Sequence, residues 1–394
     1  MIEKLPQELR LAIACCRFPF DETSCQAVVE AVSQVSDWQA FERAVKKHRI
    51  AGLANIALAQ TKDGVPAKVR ASIAARAREA AASDLFLAAE TARLQQRFDE
   101  AAMPALFVKG ATAGILAYGG LGVKQSWDID LLTTPECLLA AIDLLACDGY
   151  ELVVPAGLTG DALRRFAIFF HEAQLRDGRG VTVELHWRLF SKLQIMSGVT
   201  ALSECQEVWI GGRMVRTLAD ELLIPYLIGH GQEHGWSRLK WLADLNALLL
   251  GRSAEEFERV IRQGDAMGIG PSTSAALILC EELFGLQLPP DLSSRLRRHR
   301  SVEYLVRVNL ACIAYPLGGS DMPVFSRTQL ALFASRLRVA AGWRSLFDEL
   351  RALWTQPVVR ARYPAHLDFG YHLLRAPIFF LQIPSKLRHM RRAR

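Results

Sequence analysis

Two acids one residue apart, Asp128 and Asp130, interrupt the otherwise apolar run KQSWDIDLLT at residues 124–133. One carboxylate there would serve as a cap or a turn residue. Two like charges at that range push one pKa up unless a cation lies between them. Side chains alternate across a strand, so a strand here sends Trp127, Ile129 and Leu131 to a face packed on helices and both aspartates to the other. Carboxylate oxygens are the ligands that magnesium prefers. Alone, so short and common a pattern fits better an exposed strand whose acids merely face water.

A second segment shifts the balance. In VTVELHWRL, residues 181–189, the apolar Val181, Val183, Leu185, Trp187 and Leu189 share one face. Glu184 falls on the other, with Thr182, His186 and Arg188. Two acids from one strand and one from a neighbour make a three-carboxylate cluster. Such a cluster holds two divalent ions about 3.5–4 Å apart, the arrangement used for in-line attack on phosphorus. Upstream, LFVKGATAG reads as a strand, the pair Lys109-Gly110, and a helix start. Glycine permits close backbone approach, and the first N–H groups of a helix point at an anion. Lys109 and the Thr112 hydroxyl are placed to assist, and Lys124 precedes the acids. A lone glycine turn is often only a corner, and the G-x-x-x-x-G-K-[ST] loop is absent.

The elements that must position these residues are legible as three regions. Residues 1–100 read as helices, with apolar residues returning at three and four in QAFERAVKKHRIAGLANIALAQ and in the long Ala- and Arg-rich segment after it. Residues 101–216 read as β-α-β-α-β-β-β, a small mixed sheet with helices. There Thr134 is the expected N-cap, Pro135 the first helical position and Gly149 the stop. Asp177-Gly178 between two alternating segments signals a hairpin. Residues 217–394 turn helical again, with capping-box patterns at Thr217/Asp220 and Ser253/Glu256.

With 51% hydrophobic and 22% charged residues in 394, the chain is globular and long enough for two or three domains. No apolar run approaches the roughly 18 residues of a spanning helix, and the N-terminus lacks the pattern of a signal peptide. Eight scattered cysteines without a CxxC pair point to a reduced, cytoplasmic setting. The net charge of +6 equals the six Lys and Arg between Phe369 and Arg394, a stretch with no acid. The remainder is balanced, so a long nucleic-acid partner is not implied. The tail reads as a docked apolar segment with a solvated basic end.

FVKGATAGILAYG, DID, VELHWRL and HGQEHGWSRLKWLADL together resemble the bacterial nucleotidyltransferases of the DNA polymerase β-like superfamily, over roughly residues 85 to 250. The resemblance implies an α+β fold: a minimal nucleotidyltransferase core flanked by N- and C-terminal helical regions, using magnesium and a nucleoside triphosphate. It implies that Asp128, Asp130 and Glu184 are the metal-binding acids and Gly110 the phosphate-turn glycine. Ala111 stands where the superfamily often has serine, and Lys124 where it commonly has arginine.

The expected activity is transfer of an NMP, AMP first, from an NTP to a hydroxyl of a small molecule, peptide or protein, with two magnesium ions and release of pyrophosphate. Lys109, Gly110, Thr112 and Lys124 are the expected phosphate-binding set. His186, Arg188, His234 and Lys240 are further cleft candidates. His230 and His234 are four apart on a helix, but H-E-x-x-H and a third ligand are missing. Lys240 and Asp244 most simply pair on a helix surface. Two other readings stay open: an inactive binding or regulatory protein that keeps the fold, and a metal-dependent phosphohydrolase using water as acceptor.

Overall fold

The protein is described by a computed structural model for residues 2–61 and 63–316, and beyond these for 323, 326–339, 347, 354–355, 357–362 and 370–371. The basic tail from residue 372 onward lies outside the described residues. Helices α1 (Gln7–Ala14), α2 (Glu22–Val32), α3 (Trp38–His48), α4 (Ala51–Ala59) and α5 (Ala67–Glu100) come first. The core follows as β1 (Leu106–Phe107), α6 (Ala111–Tyr118), β2 (Ile129–Leu132), α7 (Leu138–Cys147), β3 (Glu151–Val154), α8 (Gly160–Phe169), β4 (Glu172–Arg176), β5 (Thr182–His186), β6 (Cys205–Ile210) and β7 (Arg213–Leu218). Then come α9 (Asp220–Glu233), α10 (Leu239–Leu249), α11 (Ala254–Ala266), α12 (Gly270–Phe284), α13 (Pro290–Arg297), α14 (Arg300–Ala314), α15 (Arg327–Val339) and α16 (Pro357–Arg362). The fold is α+β: a small mixed sheet with helices before and after it.

Five strands form the sheet in the order β1-β2-β5-β4-β3, with β2 and β5 parallel and the other pairs antiparallel. Ile129 and Leu131, Val183 and Leu185, and Ala173 and Leu175 are all buried in one cluster with Leu94, Phe98, Leu138, Leu145, Phe166 and Trp187. Each Val, Leu, Ile or Phe among them contributes ~1.5–3 kcal/mol on leaving water. The Trp187 indole N–H lies 3.0 Å from both Ala167 O and Phe170 O, so its polar end is also satisfied. Alternation then sends Asp130 and Glu184 to the opposite face, towards α9 and α10.

A second core joins helices that precede the sheet to helices that follow it. Leu11, Val28, Phe41 and Leu53 pack in one cluster with Leu242, Leu277 and Leu305. Helix α5 belongs to both cores. Its Val69, Ile73 and Ala77 enter the helical one, and Leu87, Ala92, Leu94 and Phe98 the sheet core. At 34 residues it is ~50 Å long.

The structure departs from the sequence reading at identifiable places. Strand β2 starts at Ile129, so Trp127 precedes it and is 58% exposed instead of packed on helices. Its ring lies under the Arg49 guanidinium at 4.3 Å. The polar connection after β3 contains α8, and residues 205–218 form the unanticipated β6–β7 hairpin. Thr217 lies inside β7, so the N-cap of α9 is Ala219, without a side-chain cap. Thr134 accepts from Cys137 N at 3.3 Å but caps a turn, and α7 begins only at Leu138. The Asp177-Gly178 hairpin and the Ser253/Glu256 capping box form as read.

Helix α9 faces the sheet and ends where Trp236, fully buried, folds back on it. A Cβ added at Gly231 would lie 2.3 Å from the indole ring. Overpacking of this kind is destabilising. Gly231→Ala is expected to lower stability by ~1–3 kcal/mol, read as a lower midpoint in urea denaturation with an unchanged slope.

Candidate active site

Strand pairing brings the acids together. In the parallel register Asp130 stands opposite Glu184, and in the antiparallel register Gln174 stands opposite Glu184 and Glu172 opposite His186. Carboxylate oxygens of Asp130 and Glu184 and a nitrogen of His186 lie within 4.8 Å of one another. Asp128, half-buried just before β2, stands on the same pocket wall outside that trio.

The pocket has a volume of about 240 Å³. Its floor is Asp128, Asp130, Glu184, Lys109 and Gly110; α9 contributes Leu227 and His230, with His234 just past its end, and α10 contributes Lys240, Trp241 and Asp244. Arg49, Lys124, Ser126 and Arg238 complete the lining. Gly110 is the N-cap of α6 with φ +64° and ψ −131°, a backbone conformation that L side chains rarely adopt. Its turn brings the start of α6 to the pocket.

The segment that presents Asp128 is pinned from three helices. Asp84 of α5 accepts from Gly122 N at 3.0 Å. Lys240 of α10 donates to Gln125 O at 2.8 Å. Gly52 of α4 leaves room for Val123 O, which a Cβ there would meet at 2.5 Å. Lys124 and Asp244 form a buried ion pair, and Tyr118 donates to the same carboxylate at 2.8 Å.

Electrostatics at the floor are dominated by burial and like charge. Lys109 Nζ is 2.6 Å from Asp130 Oδ1, and His186 Nε2 is 3.4 Å from the same oxygen. These are ion contacts; Oδ1 has no hydrogen bond of regular geometry. Burial works against the charge on both Lys109 and Asp130, but their attraction overrides it. Asp130 is held well below the usual carboxylate range and Lys109 well above its ordinary value. Burial and then the Asp130 charge push Glu184 up to about 8. It accepts one hydrogen bond, from Gln174 Nε2 at 3.1 Å. Burial also opposes charge at His186, where contacts with Asp130 and Glu172 raise its pKa overall. Burial, followed by Lys109, lowers both histidines of the α9 end, His230 well below its ordinary value and His234 to about 4. Lys240 falls to about 7, through burial and then Lys124 and Arg49.

Of the residues singled out in the sequence, Lys109, Gly110, Lys124, Asp128, Asp130, Glu184, His234 and Lys240 line this pocket, and His186 backs it. Thr112 does not: it is fully buried, its hydroxyl 2.8 Å from Phe107 O and 2.9 Å from Lys109 O, tying α6 to β1. Nor does Arg188, which donates to Phe170 O at 2.6 Å behind α8. Lys124 reaches the pocket with its charge already matched by Asp244. Lys240 and Asp244 are both buried and bond elsewhere instead of pairing on a helix surface. Arg49, Arg238, His171 and Glu172 escaped the sequence reading: packing of a distant segment brings Arg49 to the pocket, Arg238 lies between His234 and Lys240, and the Asp177-Gly178 hairpin sets Glu172 opposite His186.

A mixed sheet with a glycine turn, one acid just before β2, a second on it and a third on β5 is the arrangement of a nucleotidyltransferase core. Residues 34–285 match the model of a family described as uncharacterised nucleotidyltransferase, extending beyond 85–250 on both sides. The chain belongs to that nucleotidyltransferase family. Among solved structures it is similar to an antigenic nucleotidyltransferase-like protein from Paracoccidioides brasiliensis, at 18% identity and TM-score 0.33, over 54% of this chain and 92% of that one. No curated protein matches it.

The raised pKa of Glu184 has a consequence for stability. Between its ordinary 4.5 and about 8, the folded carboxyl keeps a proton that the unfolded chain has released. Stability from this group therefore falls as pH rises through that window. Glu184→Gln without divalent ions is expected to be more stable than wild type at about pH 8, with the gap closing towards about pH 5. Thermal melts across pH check this.

Proposed function

We propose that this nucleotidyltransferase moves an NMP, AMP first, from an NTP to a hydroxyl of a small molecule, peptide or protein and releases pyrophosphate. The observation that carries the reading is the in-register pairing of Asp130 and Glu184 on parallel strands, with Asp128 on the same wall. The donor set fits magnesium, because the carboxylates are oxygen ligands and Glu184 is held short of full ionisation for want of positive charge. Asp128, Asp130 and Glu184 would hold it, in one or two ions. Bound there, magnesium would neutralise triphosphate charge and acidify the acceptor hydroxyl.

The chain's own residues do the rest. Lys109 keeps Asp130 ionised. The first N–H groups of α6, brought forward by Gly110, suit phosphate oxygens. Arg49, Arg238 and Lys240 add positive charge to the lining. The acceptor oxygen bonds to the α-phosphorus as the bond to the β-phosphate oxygen breaks. Glu184, which would give up its own proton once magnesium is bound, then takes the proton of the acceptor hydroxyl, and pyrophosphate leaves. Eight unpaired thiols suit the cytoplasmic setting proposed for it, and no helix among the described residues is long and apolar enough to cross a membrane.

The Lys109–Asp130 contact favours one alternative, a nucleotide-binding protein without turnover, because an ammonium already neutralises that acid. A labelled NTP panel with magnesium and cell extract separates the readings. Transfer of label to an acceptor supports the proposal, free NMP without labelled acceptor selects a phosphohydrolase, and binding without turnover selects the scaffold. Asp128→Asn is expected to cut pyrophosphate release at least about a hundredfold while circular dichroism stays unchanged.

A further inference from the structure

We propose that His171, Glu172 and His186 form a second metal site, for a transition-metal ion of the zinc class, beside the acid pocket and separate from it. The proposal does not rest on the transfer reaction. His171 Nε2 and His186 Nδ1 each lie 3.4 Å from Glu172 Oε2, and the three ligand atoms fall within 4.8 Å of one another. Tetrahedral zinc with ligands at about 2.0–2.1 Å places its donors about 3.3 Å apart, so both nitrogen–oxygen edges already have the spacing of a coordination shell. Two imidazoles and a carboxylate form a His₂Glu set that leaves a fourth position open.

The imidazoles have little else to do. The ligand atom Nδ1 of His186 is buried without a hydrogen-bond partner, as is its Nε2, and the residue is only 3% exposed. Orphaned polar atoms of this kind call for an explanation such as an ion. The remaining nitrogen of His186 supplies a further argument. Nε2 is 3.4 Å from Asp130 Oδ1, and a ligating histidine commonly turns its other N–H to a carboxylate. His186 thus faces the acid pocket with one nitrogen and the His171–Glu172 pair with the other. The register that sets Glu172 opposite His186 holds this arrangement in the sheet itself. Glu172 and His171 are half-buried, so an ion has a way in.

The competing occupant is a proton: an imidazolium at His186 paired with both carboxylates would use the same contacts. Calorimetric titration of the full-length chain, stripped with chelator, with zinc ion and X-ray absorption at the zinc edge decides between them. The site predicts one zinc with two imidazole nitrogens and a carboxylate oxygen. His171→Gln and Glu172→Gln should lose it, Glu184→Gln should retain it, and Asp130→Asn should weaken it about 10–100-fold. Circular dichroism of each variant guards against unfolding, and the absorption spectrum of the wild type stands without any variant. No binding at micromolar zinc, zinc bound without imidazole, or zinc lost in Glu184→Gln but kept in His171→Gln would overturn the proposal.

Discussion

Burial of two like charges side by side, Asp130 on β2 and Glu184 on β5, is the constraint to which the surroundings answer. The sheet cannot avoid it, because the register that packs Ile129 against Val183 and Leu131 against Leu185 on one face sets the two acids opposite on the other. Carboxylates so placed must acquire positive charge or keep a proton. Lys109, from the turn between β1 and α6, supplies charge to Asp130; Glu184 is left holding its proton. The basic lining from α3, α10 and the loop before β2 extends the same compensation outward. A site of this kind is less stable than an apolar substitute, and stored electrostatic strain is what makes it receptive to cations.

How much of this was legible in the sequence follows from what is local. Alternation over a few residues placed Asp130 and Glu184 on polar faces and Val183, Leu185 and Trp187 in the core, and all were found there. Glycine at 110 announced a turn because few other residues accept its backbone angles. Trp127 failed the same rule because the strand had not yet begun. Thr112 looked like a phosphate ligand from spacing, but a hydroxyl in the first turn of a buried helix finds nearer carbonyls. The β6–β7 hairpin and α8 escaped because their segments are short and mixed in polarity. Arg49, from the end of α3, reaches the pocket only through tertiary packing, which no window of sequence contains.

Rigidity around the floor is uneven in a way that suits two roles. The loop presenting Asp128 is fastened by Asp84, Lys240 and the close approach at Gly52, all buried or backbone contacts. By contrast Trp127 beside it is exposed and touches Arg49 through a stacked guanidinium. The acid is thus held on a firm base while the neighbouring ring meets solvent.

Helix α5 carries a different implication. Its first half is seated among helices from before and after the sheet and its second half beneath the sheet. A continuous helix cannot be withdrawn from one of these cores without disturbing the other. Heat or denaturant should therefore dismantle the sheet and its helical support in a single cooperative step, and neither half is expected to persist as an autonomous folding unit.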